Sequence, residues 1–132
     1  MKKTIGLLFF IGICCIIGQA TWAKALTETQ KLGITAGTAY ACGADSRLKD
    51  YELIVSYILK NKSKDAKMAQ RQVEEYALAK FNAYHQQRAL PNLSCDQILT
   101  SFYNLPLLKS VVYKNGTIKL PDGKIIKPYE KR

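Results

Sequence analysis

Residue types that carry catalysis and metal binding are scarce in this chain of 132 residues. His85 is the only histidine, and no cysteine or acidic residue stands at metal-ligand spacing beside it. No serine lies in a glycine-flanked nucleophile elbow, and no glycine-rich phosphate loop occurs. Glu74 and Glu75 are adjacent, so on a helix they point to different faces and cannot form a facing carboxylate pair. We therefore expect no enzymatic activity, no bound metal and no cofactor.

Long hydrophobic runs are also lacking, with one exception near the amino terminus. Residues 4–18 form an apolar run of 15 residues, whereas about 20 are needed to span a membrane. Lys2 and Lys3 precede the run, and the small residues Thr21 and Ala23 follow it. This pattern is typical of a bacterial signal peptide. We expect residues 1–23 to be cleaved, which places the protein in the periplasm or the medium without a transmembrane helix. An uncleaved membrane anchor is the alternative.

Cysteine is limited to four residues, and two of them, Cys14 and Cys15, lie inside the predicted signal. Cleavage leaves Cys42 and Cys95, which in an oxidising compartment predict one disulfide bond. The chain-entropy model gives such a crosslink about 4 kcal/mol of stabilisation. A redox-active pair would need a Cys-x-x-Cys spacing, which is absent. The pair is therefore expected to be structural.

Acidic residues are outnumbered: 10 Asp and Glu stand against 20 Lys and Arg, a net charge of +10. Removing Lys2 and Lys3 with the signal leaves 18 basic residues and a net charge of +8. This excess favours a negatively charged partner. Nucleic acid is not expected, because it is scarce outside the cytosol and the cations are spread along the chain. The candidate contacts to an anionic surface are Lys60, Lys62, Lys64, Lys67, Lys119, Lys124 and Lys127.

Apolar residues at three- and four-residue spacing predict four helices. The first occupies residues 26–44 and begins with a capping box of Thr27 and Gln30. Gly33, Gly37 and Ala41 give this helix one thin face, which permits close packing against another helix of the same domain. The second helix is expected to be capped by Asp45 or Ser46 and to run to about residue 61. Its apolar face predicts a core helix and consists of Leu48, Tyr51, Val55, Ile58 and Leu59.

The third predicted helix is the longest, from a cap at Ser63 to about residue 89. Its expected buried stripe consists of Ala66, Ala69, Val73, Ala77, Phe81 and Tyr84. The fourth helix is capped by Ser94, is closed by Pro106, and is expected to point Cys95 inward. Short connections imply that neighbouring helices run antiparallel. The sequence therefore predicts a mainly α fold over residues 24–106, a small four-helix bundle held by one disulfide.

Residues 107–132 form a short basic tail with a different period. Asn115-Gly116 and Asp122-Gly123 are hairpin turn signals, and residues 111–114, 117–120 and 124–127 are expected to form a short β-hairpin or meander. A sheet this small is not stable alone, so we expect it to pack on the bundle. Alternatively, its edge adds to a partner's strand. The candidate partner-binding residues are Val112, Tyr113, Ile118, Leu120, Ile125 and Ile126.

Residues 94–99, SCDQIL, together with the pair Cys42 and Cys95, resemble the small periplasmic acid-stress chaperones. That family consists of exported helical domains with one disulfide, and the basic charge and strand-like tail depart from it. We expect a small exported, non-enzymatic protein that binds another envelope or secreted protein as an accessory, inhibitor or chaperone-like module. The alternative is a secreted basic factor that binds anionic membrane or cell-wall polymer.

Overall fold

The computed structural model describes residues 25–129, and the predicted signal at residues 1–23 lies outside them. Most of the described part is helical: α1 (Glu28–Ala41), α2 (Ser46–Lys62), α3 (Ala66–Ala89) and α4 (Cys95–Tyr103). A 3-10 turn (Pro106–Lys109) then leads into β1 (Val111–Val112), β2 (Ile118–Lys119) and β3 (Ile125–Ile126). The prediction of a mainly helical bundle with one disulfide and a small C-terminal sheet is confirmed.

The first three helices run up, down and up. Lys62 at the end of α2 lies 3.2 Å from the carboxylate of Glu28 at the start of α1, so these two helices are antiparallel. Thr27 donates to Glu75, and the Tyr40 and Tyr84 rings lie 5.1 Å apart, so α1 and α3 run in the same direction. The antiparallel arrangement of successive helices follows from their short connections.

Local sequence determines several helix ends as predicted. The Thr27 hydroxyl accepts from the backbone N–H of Gln30 at 3.1 Å, and the Gln30 side chain accepts from the Thr27 N–H, which completes a capping box. Ser94 and Gln97 form a second capping box at the start of α4. Gly43 follows α1 with φ of 87°, a left-handed conformation that favours glycine and ends the helix.

The predicted cap of the third helix is wrong. Asp65, rather than Ser63, caps α3, because its carboxylate accepts from the backbone N–H of Met68 at 2.7 Å. Ser63 instead follows the last residue of α2, where its hydroxyl donates to the carbonyl of Leu59 at 2.6 Å. Both residue types are good caps, and position decides between them: Asp65 directly precedes Ala66, the first residue of α3, whereas the Ser63 hydroxyl donates to Leu59.

The main core lies between α1, α2, α4 and the 3-10 turn. It consists of Ala36, Ala39, Ala44, Leu48, Tyr51, Val55, Leu59, Phe102 and Leu108. The Tyr51 ring lies 5.4 Å from that of Phe102, and its hydroxyl donates to the Leu32 carbonyl at 2.9 Å. Burial raises the pKa of Tyr51 to about 12. The predicted apolar face of the second helix is therefore confirmed as a core face.

A disulfide joins Cys42, directly after α1, to Cys95, the first residue of α4. The two Cα atoms are 5.2 Å apart, which suits an ordinary disulfide. The prediction that Cys95 points inward is wrong, because this residue is exposed. The bond lies at the surface since it links two helix ends, where the chain leaves the core.

The three strands form an antiparallel meander in which Ile118 pairs with Val112 on one side and Ile126 on the other. Each strand has only two residues, shorter than predicted, because the turns occupy the rest. Gly116 and Gly123 adopt φ of 82° and 87°, as the two turn signals require. The sheet lies against α2. The predicted boundary between the helical domain and the tail at residue 107 stays a prediction.

Candidate functional site

Helix α3 packs on α1 through small residues. A Cβ atom added at Gly33 would lie under 3.0 Å from the carbonyl oxygen of Tyr76, and one added at Gly37 would meet the carbonyl of Lys80 equally closely. The two backbones therefore lie in near contact, as the thin face of α1 predicts. On the α3 side of this contact, Ala83 is only 7 % exposed.

The apolar stripe that was expected to bury α3 faces solvent instead. Val73 is 53 % exposed, Phe81 is 60 % exposed, and Ala77 between them is exposed as well. Of the other stripe members, Ala66 is exposed, and Ala69 and Tyr84 are half-buried. The predicted buried stripe is therefore wrong. Its face lies about 100° around the helix axis from Tyr76, because the glycine face of α1 selects the neighbouring small-residue face of α3.

Polar side chains on the packed face of α3 have hydrogen-bond partners, which offset the free-energy cost of burying them. Gln87 is 9 % exposed, and its amide donates to the carbonyl of Leu93 at 2.9 Å. The Thr29 hydroxyl on α1 lies 3.5 Å from the side-chain oxygen of Gln72. A hydrogen-bonded glutamine costs far less to bury than an unpaired one. This face can therefore pack against α1 in preference to the more apolar stripe.

A groove of about 950 Å³ separates α2 from the amino-terminal half of α3. Its apolar lining comprises Leu53 and Tyr57 from α2 and Ala69 and Val73 from α3. Leu53 is 54 % exposed, so large apolar side chains from both walls face solvent. The α2–α3 connection and residues 128–129 line the groove as well. The exposed stripe of α3 continues beyond the groove through Ala77 and Phe81.

The charged residues that line the groove are two lysines and two acids, so the formal charge of its lining is balanced. Lys60 and Lys64 both line the groove and are exposed. The ion pairs found among residues 25–129 are Arg47–Asp50, Lys62–Glu28 and Lys80–Glu52. Neither Lys60 nor Lys64 is therefore paired with a carboxylate in that part of the chain. Of the two acids at the groove, Asp65 caps α3 and Glu74 accepts from the amide of Gln70 at 2.9 Å.

A polar cluster ties α2 to α3 beside the groove. The Glu52 carboxylate pairs with the ammonium of Lys80 and accepts from the Tyr76 hydroxyl at 3.3 Å. Burial, followed by the negative charge of Glu52, raises the pKa of the Tyr76 hydroxyl above its ordinary value. Three groups from two helices thus share one contact, which helps to hold the two walls of the groove at a constant separation.

Aromatic side chains extend the exposed stripe toward the end of α3. The Phe81 and His85 rings lie 4.3 Å apart edge to face, and the Arg88 guanidinium lies 5.6 Å from the centre of the Tyr84 ring. Arg88 also donates to the Tyr84 hydroxyl at 2.9 Å. His85 thus lies on the exposed helix surface among aromatic rings. Arg88 adds a positive charge at this end of the stripe.

The six tail residues predicted to bind a partner divide by burial. Ile118 is 0 % exposed and Ile126 is 9 % exposed, and both pack with Ile54 and Ile58 of α2 in a second small core. These two side chains therefore serve the protein's own fold. Val112 and Leu120 are half-buried against the same core, whereas Tyr113 and Ile125 are 47 % and 54 % exposed.

The lysines predicted to contact an anionic surface are all exposed: Lys60, Lys62, Lys64, Lys67, Lys119, Lys124 and Lys127. Asn61, which is buried, connects the two groups. Its amide donates to the carbonyl of Gly116 at 2.7 Å and lies 3.4 Å from that of Ile126. Because Lys62 follows Asn61 and Lys127 follows Ile126, this contact brings tail lysines to the same end of the molecule as the lysines of α2.

Residues 25–129 contain neither a metal-binding cluster nor a helix suited to span a membrane. No three His, Cys, Asp or Glu side chains in this range come together as a metal-binding group. The helices described in this range include none that is both long and apolar enough to cross a bilayer.

Sequence reasoning missed Leu53, Tyr57 and the exposure of Val73 and Phe81. One signal for the exposed stripe was present, since Ala79 and Ala83 repeat the four-residue spacing of Gly33 and Gly37. Such matched small residues predict which faces of two helices approach most closely. No comparable signal marked the groove, because its walls come from two helices joined by tertiary contacts.

No protein-family model, curated protein or solved structure matches the chain. The function inferred from the sequence therefore stays a prediction, and the geometry of the described residues is what any proposal must rest on.

Proposed function

We propose that this chain is a small exported, non-enzymatic binding module that docks on another envelope or secreted protein. The docking surface is the exposed apolar face of α3 together with the adjoining groove. Accessory, inhibitor and chaperone-like roles all require such a surface and no catalytic group.

The observation that carries this proposal is the exposure of large apolar side chains along one face of a long helix. Val73 and Phe81, two turns apart on α3, are each more than half exposed. Leu53 of α2 lines the same groove as Val73. Scattered exposed apolar residues are normal on a protein surface, whereas a contiguous patch marks an interaction site. A second helix laid along such a face would bury its own apolar side against it.

Export is part of the proposal and has its own test. The disulfide between Cys42 and Cys95 supports an oxidising compartment. The protein recovered outside the cytosol should have a mass corresponding to residues 24–132 with two hydrogens fewer than the reduced chain. It should also lack tryptophan fluorescence, because Trp22 is the only tryptophan. A retained tryptophan signal or two free thiols would contradict this assignment.

Photocrosslinking in intact producing cells tests the docking surface. A photoreactive side chain at Ala77 lies on the exposed stripe, whereas the same group at the adjacent Leu78, which is 62 % exposed, lies on another face of α3. We expect one defined crosslinked protein from position 77 and not from position 78. Val73→Glu or Phe81→Glu should reduce that product at least about tenfold, as loss of a hot spot does.

Stability controls keep this test interpretable. Val73 and Phe81 are exposed, so their glutamate variants should unfold within about 0.5 kcal/mol of the parent. Leu78→Glu is the matched variant and should leave the crosslinked product from position 77 unchanged. Equal crosslinking from both positions, or a product insensitive to both stripe variants, would refute the α3 docking surface.

A second candidate function is binding to anionic membrane or cell-wall polymer. The contact of Asn61 with the tail favours it, because that contact gathers lysines from α2 and from the β3 region at one end. Vesicles of phosphatidylglycerol, but not of phosphatidylcholine, should then sediment the protein at low salt. Binding through exposed charges should weaken strongly at physiological salt. Equal sedimentation with both lipids, or none with either vesicles or purified wall polymer, would reject this candidate.

A further inference from the structure

The connection between α3 and α4, residues 90–94, carries two leucines that face solvent. Leu90 and Leu93 are each more than half exposed, and Leu90 is the most exposed of the large apolar side chains among residues 25–129. Connections of this kind are usually polar, because side chains there do not reach the core. A lone exposed leucine is common on protein surfaces, and what distinguishes this connection is how firmly its backbone is held.

Both ends of the α3–α4 connection are fixed to the helices. The N–H of Leu90 donates to the carbonyl of Gln86 at 2.8 Å, and Pro91 has a fixed φ. At the other end, Cys95 directly follows the connection and is bonded to Cys42. Loops that present functional side chains are often positioned by a rigid scaffold in this way. A partner that binds this segment therefore loses little conformational entropy in ordering it.

The peptide bond between Leu93 and Ser94 is held at both of its polar atoms. The amide of Gln87, which is buried, donates to the Leu93 carbonyl at 2.9 Å. The N–H of Ser94 donates to the side-chain oxygen of Gln97 at 3.2 Å. The Leu93 side chain thus faces solvent, while the carbonyl and the N–H of the peptide bond that follows it are bonded to side chains of α3 and α4.

This combination suits binding by an endopeptidase without rapid cleavage. A chymotrypsin-like endopeptidase takes an apolar side chain into its specificity pocket and attacks the carbonyl of the same residue, whose oxygen then moves into the oxyanion hole. The exposed Leu93 side chain meets the first requirement. Its carbonyl oxygen cannot enter an oxyanion hole without leaving Gln87, and an unpaired amide donor in a buried side chain is costly. Such a segment is bound readily and cut slowly.

We propose that the α3–α4 connection is an inhibitory loop that inserts Leu93 into the apolar specificity pocket of an endopeptidase, while Gln87 and Gln97 protect the Leu93–Ser94 bond from cleavage. This role rests on the proposed function only in that the chain acts by binding another protein. It uses a different surface, because Leu93 lies beyond the end of α3 rather than on its exposed stripe.

Inhibition of chymotrypsin is the direct test, with trypsin as the comparison because its pocket binds basic side chains. The rate of hydrolysis of a small chromogenic substrate is measured with the exported protein added. We expect competitive inhibition of chymotrypsin and none of trypsin. Leu93→Arg should weaken inhibition of chymotrypsin at least about tenfold and create inhibition of trypsin. Leu90→Arg is the matched control: it makes the same change in the same connection and should leave inhibition of chymotrypsin unchanged.

A second pair of variants tests the protection of the peptide bond. Gln87→Leu frees the Leu93 carbonyl, so chymotrypsin should hydrolyse the Leu93–Ser94 bond at least about tenfold faster than in the parent. In this step water adds across the C–N bond and leaves a carboxylate on Leu93 and an amine on Ser94. Gln97→Ala frees the N–H and should also speed cleavage, and because Gln97 is exposed this variant leaves the core intact. Mass spectrometry after reduction of the disulfide measures the products, and circular dichroism checks the fold.

Four results would refute the inhibitory loop: no inhibition of chymotrypsin, equal losses from Leu93→Arg and Leu90→Arg, no gain of trypsin inhibition by Leu93→Arg, or cleavage of the parent as fast as that of Gln87→Leu. The α3 docking surface fails separately, because crosslinking from position 77 does not depend on Leu93. Val73→Glu should leave inhibition unchanged. If Val73→Glu weakens inhibition as much as Leu93→Arg does, the peptidase contacts the stripe and the inhibitory loop is refuted.

Discussion

Replacing Gly37 by alanine tests whether α1 and α3 touch through their backbones. In an open helix this change stabilises by about 1 kcal/mol, because alanine is the better helix former. At Gly37 the added Cβ would lie under 3.0 Å from the carbonyl oxygen of Lys80 and 3.0 Å from the Cβ of Ala83. A carbonyl inside α3 cannot rotate away, so the two helices must separate. The packed and open contexts therefore predict opposite signs.

The expected magnitude follows from these two opposing effects. Overpacking costs about 1–3 kcal/mol, and a clash with backbone belongs at the upper end of that range. Subtracting the gain in helix propensity of about 1 kcal/mol leaves a net loss of about 2 kcal/mol. For a domain of about 100 residues, each 1 kcal/mol lowers Tm by roughly 4–8 °C. Tm should therefore fall by about 8–16 °C.

Circular dichroism during heating, with the disulfide intact, measures this change. Lys31→Ala is the matched control, because Lys31 is an exposed residue of the same helix and its replacement should change stability by no more than about 0.5 kcal/mol. A Tm for Gly37→Ala that equals or exceeds the parent value would refute the close packing of α1 on α3. It would also mean that the glycine face of α1 does not cause the exposure of the α3 stripe.

Three further predictions concern stability. Replacing Cys42 and Cys95 together by serine should lower the free energy of unfolding by about 4 kcal/mol, because the bond spans 53 residues; a urea midpoint equal to the parent's would contradict this. Asn61→Ala should cost about 2 kcal/mol and speed amide exchange in β2 and β3 more than in α1, since two carbonyls of the tail lose their donor; uniform exchange across the molecule would argue against that role. The pKa of Tyr51, raised by burial to about 12, lies above its unfolded value of about 10, so its stabilising contribution is complete below pH 10 and is lost as pH rises to 12. Tyr51→Phe should reduce the fall in urea midpoint over that range, and an unchanged pH profile would contradict this assignment.

Most of the features that could be predicted from the sequence have local causes. The capping box of Thr27 and Gln30 and the turns at Gly116 and Gly123 depend on residues within a few positions of one another. The pairing of Cys42 with Cys95 was predictable because the predicted signal contained the other cysteines. The core face of α2 was predictable from hydrophobicity alone, since it is the most apolar face of that helix.

What α3 buries could not be predicted from its own pattern. Its more apolar face, with Val73 and Phe81, is the obvious candidate for burial, yet the thin face of α1 selects small residues such as Ala83. The choice depends on the shape of a second helix distant in sequence, and hydrophobicity alone does not contain that information. The groove was missed for the same reason, because the facing of Leu53 and Val73 is set by tertiary packing.

The disulfide closes a covalent ring that contains α2, α3 and the connections on either side of α3. An exported protein meets proteases, which cut exposed connections most readily. Lys64 and Asp65, between α2 and α3, are exposed, and so is the whole stretch from residue 90 to residue 94. Both sites lie between Cys42 and Cys95, so a single backbone cut at either leaves one covalently joined molecule. Cleavage at either of these two exposed connections therefore separates nothing while the disulfide is intact.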